Sequence, residues 1–264
     1  MIDTYKTLKL DWPEKHILLV TLNRPEASNA LNTQMGKDLC ALFGELYRDA
    51  ENARCVILWG GNAKAFCAGG DLKERKGMTD EAWRYQHAVF EQAFAHLMDC
   101  PVPVIAAVNG AAYGGGTEMA LTCDFIYAAE GARFALTEVT LGIMPGGGGT
   151  QNMPRAVGTR RAKEVIWTGL PFTAQQGYEW GMINAVLPLE ELLPKTIATA
   201  ERIAGNAPLS IRAAKRSIDH GAGCDIRTAL GIEIANYNLL VPTEDRCEGV
   251  LAFNEKRKAE FRGR

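Results

Sequence analysis

Two kinds of apolar pattern alternate along the first 190 residues, and that alternation limits the folds open to the chain. "HILLVTL" (16–22), "RCVILWG" (54–60), "PVPVIAAVNG" (101–110) and "DFIYAA" (124–129) are short apolar runs bounded by turn signals. The first two read as strands buried in a sheet. Between them, "NTQMGKDLCALFGELYRDA" (32–50) places Met35, Leu39, Leu42, Phe43 and Leu46 at helical spacing, with Asn32 or Thr33 as the N-cap. "TDEAWRYQHAVFEQAFAHLMDC" (79–100) repeats the pattern behind Thr79 and Asp80. Strand and helix in alternation predict an α/β fold with parallel sheets. After about residue 190 the strands stop, and four helical segments follow: 189–205, 207–221, 225–240 and 243–261. The chain therefore divides into an α/β core (1–190) and a helical C-terminal part (191–264).

Composition narrows the function. Net charge is −2, from 29 basic and 31 acidic residues, with no basic block to draw the chain to nucleic acid or an anionic membrane. Lys6 to Lys9, Arg160–Arg161 and Lys256–Lys258 are local clusters sufficient for one small polyanion. Seven cysteines without a C-x-x-C pair point away from a disulfide framework or zinc ribbon and toward a reducing compartment. Four histidines without an H-E-x-x-H pair give no metal site. The N-terminal stretch reads as neither secretory signal, transit peptide nor membrane span, so a cytoplasmic protein is expected.

Glycine is the unusual component: 27 of 264 residues, about 10%, against a norm of about 7%. Three passages concentrate it: "AFCAGGDLKE" (65–74), "NGAAYGGGTE" (109–118) and "LGIMPGGGGTQ" (141–151). None is a phosphate loop, because no lysine follows the glycines, and none matches G-x-G-x-x-G or G-x-S-x-G. Glycine also lets backbone N–H groups approach a bound atom closely. Two such donors aimed at one carbonyl make an oxyanion hole, where losing one donor costs roughly 3 to 4 kcal/mol. A glycine lead into a helix adds free first-turn N–H groups and the helix dipole. Glu118 follows the triple glycine directly, and Glu138 lies eight residues before Gly146. Two carboxyl groups at one substrate suit general acid/base work. Singly, each glutamate reads first as a solvated helix or cap residue, and each glycine run equally as a packing turn.

Taken together, five segments in order resemble the enoyl-CoA hydratase/isomerase (crotonase) superfamily over nearly the whole chain. They are "LNRPEASNALN" (22–32), "AFCAGGDLKE", "PVPVIAAVNGAAYGGGTEMALTCDF" (101–125), "FALTEVTLGIMPGGGGTQ" (134–151) and "GVLAFNEKRKAEF" (249–261). The resemblance implies a spiral of repeated β-β-α units followed by a helical trimerisation region. It implies reversible syn addition of water to a trans-2-enoyl-CoA, giving a 3-hydroxyacyl-CoA, with no cofactor beyond the coenzyme A of the substrate. On matching positions the oxyanion hole belongs to the amides of Gly70 and Gly115. The catalytic pair is Glu118 and Glu138, the first acting toward the water and the second delivering a proton to Cα, and Gly146 helps hold the water. Arg24, Ala27, Ala68, Asp71, Leu72 and Lys73 would line the coenzyme A arm. Phe253 and Lys256 would reach a neighbouring subunit's ligand in a homotrimer or dimer of trimers.

Several positions depart from the family pattern: Gly70 for alanine, Thr117 for a frequent cysteine, Gly147 for alanine or serine, and Asn152 for arginine. Segment 76–86 lies where the family builds its variable acyl pocket. Sibling reactions on the same scaffold (isomerase, carnitinyl-CoA-type dehydratase, decarboxylase, hydrolase) and a non-catalytic CoA-binding homologue are the competing functions. Retention of both glutamates favours hydration. Some family members bind RNA through a lysine-rich helix, but residues 33–54 carry only Lys37, Arg48 and Arg54 as basic groups.

Overall fold

The computed structural model describes residues 5–50 and 52–264. An antiparallel pair, β1 (Leu8–Glu14) and β2 (Ile17–Leu22), leads into α1 (Thr33–Arg48). Asn32 is the N-cap of α1: its Oδ1 accepts the Met35 amide at 2.9 Å, satisfying a first-turn donor. Met35, Leu39, Leu42, Phe43 and Leu46 are all buried, so the predicted apolar stripe is the face turned to the core.

Three winding turns follow. The first comprises β3 (Cys55–Trp59), β4 (Ala65–Cys67), α2 (Leu72–Arg75) and α3 (Asp80–Met98). The second comprises β5 (Val104–Val108), β6 (Ala111–Tyr113) and α4 (Gly115–Thr122). The third comprises β7 (Phe125–Ala129), β8 (Arg133–Ala135), a 3-10 turn at Glu138–Leu141 and α5 (Gly149–Val157). Then come α6 (Thr159–Thr168), β9 (Phe172–Thr173), α7 (Ala174–Glu179) and β10 (Ala185–Leu187). The first strand of each turn enters a large sheet, ordered β1-β2-β3-β5-β7-β10, and the second enters a small sheet, ordered β4-β6-β8-β9. β3 pairs parallel with β5, and β5 with β7; β4 pairs parallel with β6, and β6 with β8. This is the spiral of repeated β-β-α units that the resemblance implies. Pattern reading finds the first strand of each turn and runs "PVPVIAAVNG" straight into a helix. The structure inserts β6 there, and β4 and β8 in the neighbouring turns. Each of these strands has three residues, too few for a period to show.

The large sheet is buried on both faces. Leu18, Val20, Val56, Leu58, Ala106 and Val108 join one apolar cluster with α1, α3 and α4. Their sequence neighbours Ile17, Leu19, Cys55, Ile57, Ile105 and Ala107 join a second cluster. Successive side chains of a strand point to opposite faces, so a strand covered on both sides must be apolar throughout. The second face is covered by Leu192, Ala200 and Ala204 of α8 (Leu189–Ala204). Residue 190 thus falls in the first turn of a helix that packs on the sheet.

Beyond α8 lie α9 (Pro208–Gly221), α10 (Ile226–Leu240) and α11 (Glu244–Glu255). The helix expected over 243–261 stops at Glu255, because Lys256 takes a left-handed φ of 56°. The segment after it turns back: Asp245 accepts the amides of Arg262 at 2.6 Å and Gly263 at 2.8 Å. Cys55, Cys67, Cys100 and Cys123 are buried, whereas Cys224 and Cys247 are exposed. Among the described residues no helix is long and apolar enough to cross a membrane.

Candidate active site

The loop after β4 and the loop before α4 meet backbone to backbone, and glycine is what permits it. Leu31 N donates to Gly69 O at 2.7 Å and Asp71 N donates to Leu31 O at 3.0 Å. Both neighbours of Gly70 are pinned, while the Gly70 amide stays outside this ladder. Gly69 has a φ of 90°, and a Cβ there would lie 2.7 Å from Tyr113 O. The three glycines before Thr117 differ in their reasons. Gly114 has a φ of 50°, and a Cβ on it would lie 2.9 Å from Glu138 Oε1. At Gly116 a Cβ would collide with the carbonyl oxygen of Cys67. Gly115 has no such constraint: a Cβ there would meet only Leu31 Cδ2, at an ordinary 3.5 Å. It opens α4, so its N–H has no acceptor within the helix.

The third glycine passage wraps a carboxylate. Glu118, in the first turn of α4, is only 4% exposed, and its Oε1 accepts the Gly147 amide at 2.7 Å and the Gly149 amide at 2.8 Å. A Cβ at 149 would lie 2.9 Å from Glu118 Oε1, and one at 147 would lie 2.9 Å from Oε2 and 2.8 Å from Phe94. Burial pushes the Glu118 carboxyl above its ordinary range, against the pull of those two amides and of His87. Glu138 opens the 3-10 turn, is 9% exposed, and has an Oε2 that is buried without a hydrogen-bond partner among the described residues. Burial raises its carboxyl to about 7; its own amide and Arg75 oppose the rise, and the Glu118 charge adds to it.

Both carboxyls line one cavity of about 540 Å³. Of the residues singled out in the sequence, Ala68, Gly70, Leu72, Gly115, Glu118, Glu138 and Gly146 line it. Arg24, Ala27, Asp71, Lys73, Phe253 and Lys256 do not. Arg24 instead donates from Nη2 to Asp71 Oδ2 at 3.1 Å and from Nη1 to Ala30 O at 2.5 Å. Asp71 in turn caps α2, accepting the amides of Lys73 at 3.1 Å and Glu74 at 3.2 Å. Against the upward push of burial, these amides and the Arg24 guanidinium hold its carboxyl below the usual range. Arg24 and Asp71 therefore set the shape of the loop that carries Gly70. Phe253 is 84% exposed on α11, and Lys256 caps that helix.

The lining also includes residues not singled out in the sequence: Arg75, then Trp83, His87, Phe90 and Phe94 from α3, and Leu141, Ile143 and Met144 from the 3-10 turn and the loop after it. Positions 83, 87, 90 and 94 fall on one helical face, so the signal was present as periodicity. Nothing in the sequence separates a face that lines a cavity from one that fills a core.

Comparison with known proteins agrees with this geometry. The profile of the enoyl-CoA hydratase/isomerase family matches residues 13–264. The short-chain-enoyl-CoA hydratase of Clostridium acetobutylicum is 40% identical over 94% of this chain and 94% of its own length. The 2,3-dehydroadipyl-CoA hydratase of Escherichia coli is 40% identical over 95% of this chain and 97% of its own. The crystal structure of an enoyl-CoA hydratase from Bacillus anthracis is 42% identical and superposes with a TM-score of 0.96, covering 98% of this chain and all of that one. The chain belongs to the enoyl-CoA hydratase/isomerase family.

Proposed function

We propose that the protein is an enoyl-CoA hydratase that adds water reversibly across the α,β-double bond of a trans-2-enoyl-CoA thioester. The observation that carries this reading is the pairing of Glu118 and Glu138 in one cavity, each with its proton affinity raised by burial. In the proposed reaction the thioester oxygen accepts from the amides of Gly70 and Gly115. Charge that develops there in the enolate-like transition state meets preorganised donors. Glu118 orients the water and takes its proton. Its Oε1 is already committed to the Gly147 and Gly149 amides, which favours the ionised form a base needs. Glu138, which burial keeps partly protonated near neutral pH, delivers the proton to Cα. Gly146, at the cavity wall beside His87, helps seat the water. Dehydration reverses the roles. An isomerase shifting the double bond needs one carboxylate, so the elaborate seating of Glu118 speaks for hydration.

The coenzyme A arm would pass over the loop carrying Ala68, Asp71, Leu72 and Lys73, shaped by Arg24 and Ala27 of the facing loop. α9, α10 and α11 would assemble with other copies into a trimer or a dimer of trimers, placing Phe253 and Lys256 at a neighbour's ligand. The reaction needs no cofactor in this scheme. The test is loss of the conjugated-thioester absorbance of crotonyl-CoA on addition of the protein, with Glu138→Gln as control. Loss that the variant abolishes supports hydration; no loss in the assembled protein overturns it.

A further inference from the structure

The acyl wall of the cavity carries a cation with no anion to match it. Arg75, the last residue of α2, is half-buried and lines the cavity. Its guanidinium lies over Trp83, 4.4 Å from the ring centroid, and 5.8 Å from that of Phe90. Nε donates to Gln86 Oε1 at 2.8 Å. Gln86 is 1% exposed and is fixed in turn, its Nε2 donating to Thr33 Oγ1 and Glu74 Oε2, each at 2.8 Å. The guanidinium is therefore oriented before any ligand arrives.

Its other edge has no hydrogen-bond partner among the described residues. Among the described residues Arg75 forms no ion pair, and its Nη1 and Nη2 donate to no other group. Burial weighs against its charge, with Glu74 and Glu138 acting the other way. Glu74 is already spent on Gln86 and on the Thr33 amide, and Glu138 is the proposed proton donor. His87, the other basic group on this wall, is engaged through Nδ1 with Glu91 Oε1 at 2.5 Å. The remaining wall, Phe90, Phe94, Leu141, Ile143 and Met144, is apolar. The departure at position 70 fits the same picture: a Cβ there would lie 3.1 Å from Arg75 Nη1, so glycine leaves the guanidinium room beside the thioester site.

A planar fork of two free N–H donors matches a carboxylate in two parallel hydrogen bonds. An uncharged acyl chain would leave this partly desolvated cation facing carbon. We propose that the acyl group carries a carboxylate bound by Nη1 and Nη2 of Arg75, making the preferred substrate the monothioester of a short unsaturated dicarboxylic acid. The cavity of about 540 Å³, shared with the end of the coenzyme A arm, keeps that acid short. This rests on the hydratase reading for the identity of the thioester.

The experiment compares kcat/KM for glutaconyl-CoA and crotonyl-CoA in the wild-type enzyme, Arg75→Met and Arg75→Lys. It is paired with calorimetric binding of the saturated, unreactive glutaryl-CoA and butyryl-CoA. The wild type should prefer the carboxylated member of each pair by about tenfold or more, the size of a lost hydrogen bond to a charged group. Arg75→Met should erase the preference in both measurements. Arg75→Lys, which keeps the charge but not the fork, should retain part of it and carries the test if the methionine variant does not fold. A ratio indifferent to both substitutions overturns the proposal. So does an equal fall in kcat for the two thioesters at constant ratio, which would place Arg75 at the oxyanion hole or on Glu138. If the wild type binds glutaryl-CoA more tightly than butyryl-CoA yet hydrates neither enoyl thioester, the hydratase reading fails and the carboxylate site stands. Hydration of crotonyl-CoA with no preference for the carboxylated partner has the opposite meaning.

Discussion

α1 and α10 are helices of similar length and similar apolar content, yet they live in opposite surroundings. The apolar stripe of α1 is wholly buried within its own chain. On α10 only Asn236 is buried, while Ile226, Leu230, Ile234, Tyr237 and Leu239 are all exposed, Ile226 by 71%. α9 buries no residue fully and is tied to the core by polar contacts, chiefly Lys215 with Asp124. Arg54 adds two backbone contacts, to Ala204 O at 3.1 Å and Phe261 O at 2.8 Å. The large sheet and α1 complete their burial inside one chain; the last three helices leave most of theirs open. An exposed apolar area this large is what the proposed assembly would cover. The lesson is that fold and assembly are written in different parts of this sequence, and that they can be broken separately.

The largest effect should come from the core. Glu138→Gln removes the proposed acid and should lower kcat for hydration by about a thousandfold with assembly intact. In the wild type, hydration should fall as pH rises through about 7, where Glu138 loses its proton, and dehydration should fall below that pH. The same raised carboxyl has a stability sign. The folded state holds its proton more tightly than the unfolded chain, so Glu138 favours folding most fully at acid pH. That contribution is lost as pH rises from the ordinary glutamate range to about 7. Glu138→Gln should therefore melt higher than the wild type at pH 8, and an equal or lower Tm would contradict the buried setting of this carboxyl.

Next in size, Ile234→Asp combined with Tyr237→Asp should convert the proposed oligomer to monomers in sedimentation while leaving the far-ultraviolet circular dichroism of the spiral unchanged. Collapse of the spiral itself would end the distinction between the two regions. Gly116→Ala attacks the other side, forcing a methyl group against the Cys67 carbonyl, and should cost about 1 to 3 kcal/mol in denaturant unfolding. Gly115→Ala, with only an ordinary contact to Leu31, should cost far less stability and show its damage in kcat/KM. The smallest effect belongs to Lys256→Ala, where KM should rise about fivefold with little change in kcat, as expected for one exposed charge near a phosphate. The rise should shrink at high salt.

Much of the spiral was legible because burial on both faces leaves an unmistakable trace: Ile17 to Val20 and Cys55 to Leu58 are apolar at every position. β4, β6 and β8 left none, since each is three residues long and set among glycines. The glycine passages announced close backbone approach but not its object. Gly147 and Gly149 donate to Glu118, a side chain about thirty positions earlier, and no local pattern encodes that contact. Glu118 and Glu138 were visible as a pair through family resemblance. Their shared cavity and raised protonation come from burial, which only the folded chain supplies. Arg75 has no local signal of its own: in "DLKER" a lysine and two acids lie beside it, and no pattern there separates it from a solvated charge.

The cysteines carry the division between the regions into covalent chemistry. In the spiral, burial pushes the Cys55 thiol up to about 12 and the thiols of Cys67 and Cys100 to about 11, and Cys123 is shifted the same way. Thiolate is the reactive form, so maleimides and peroxide should pass these four by. Cys224 and Cys247 lie exposed near the ends of α9 and α11. Cys40 of α1 is half-buried and its thiol is also pushed up by burial, so an alkylating dye should mark the helical end of the native chain first. If the proposed assembly forms, the rate of that marking should rise on dilution, giving a clock for subunit exchange that leaves the catalytic cavity untouched.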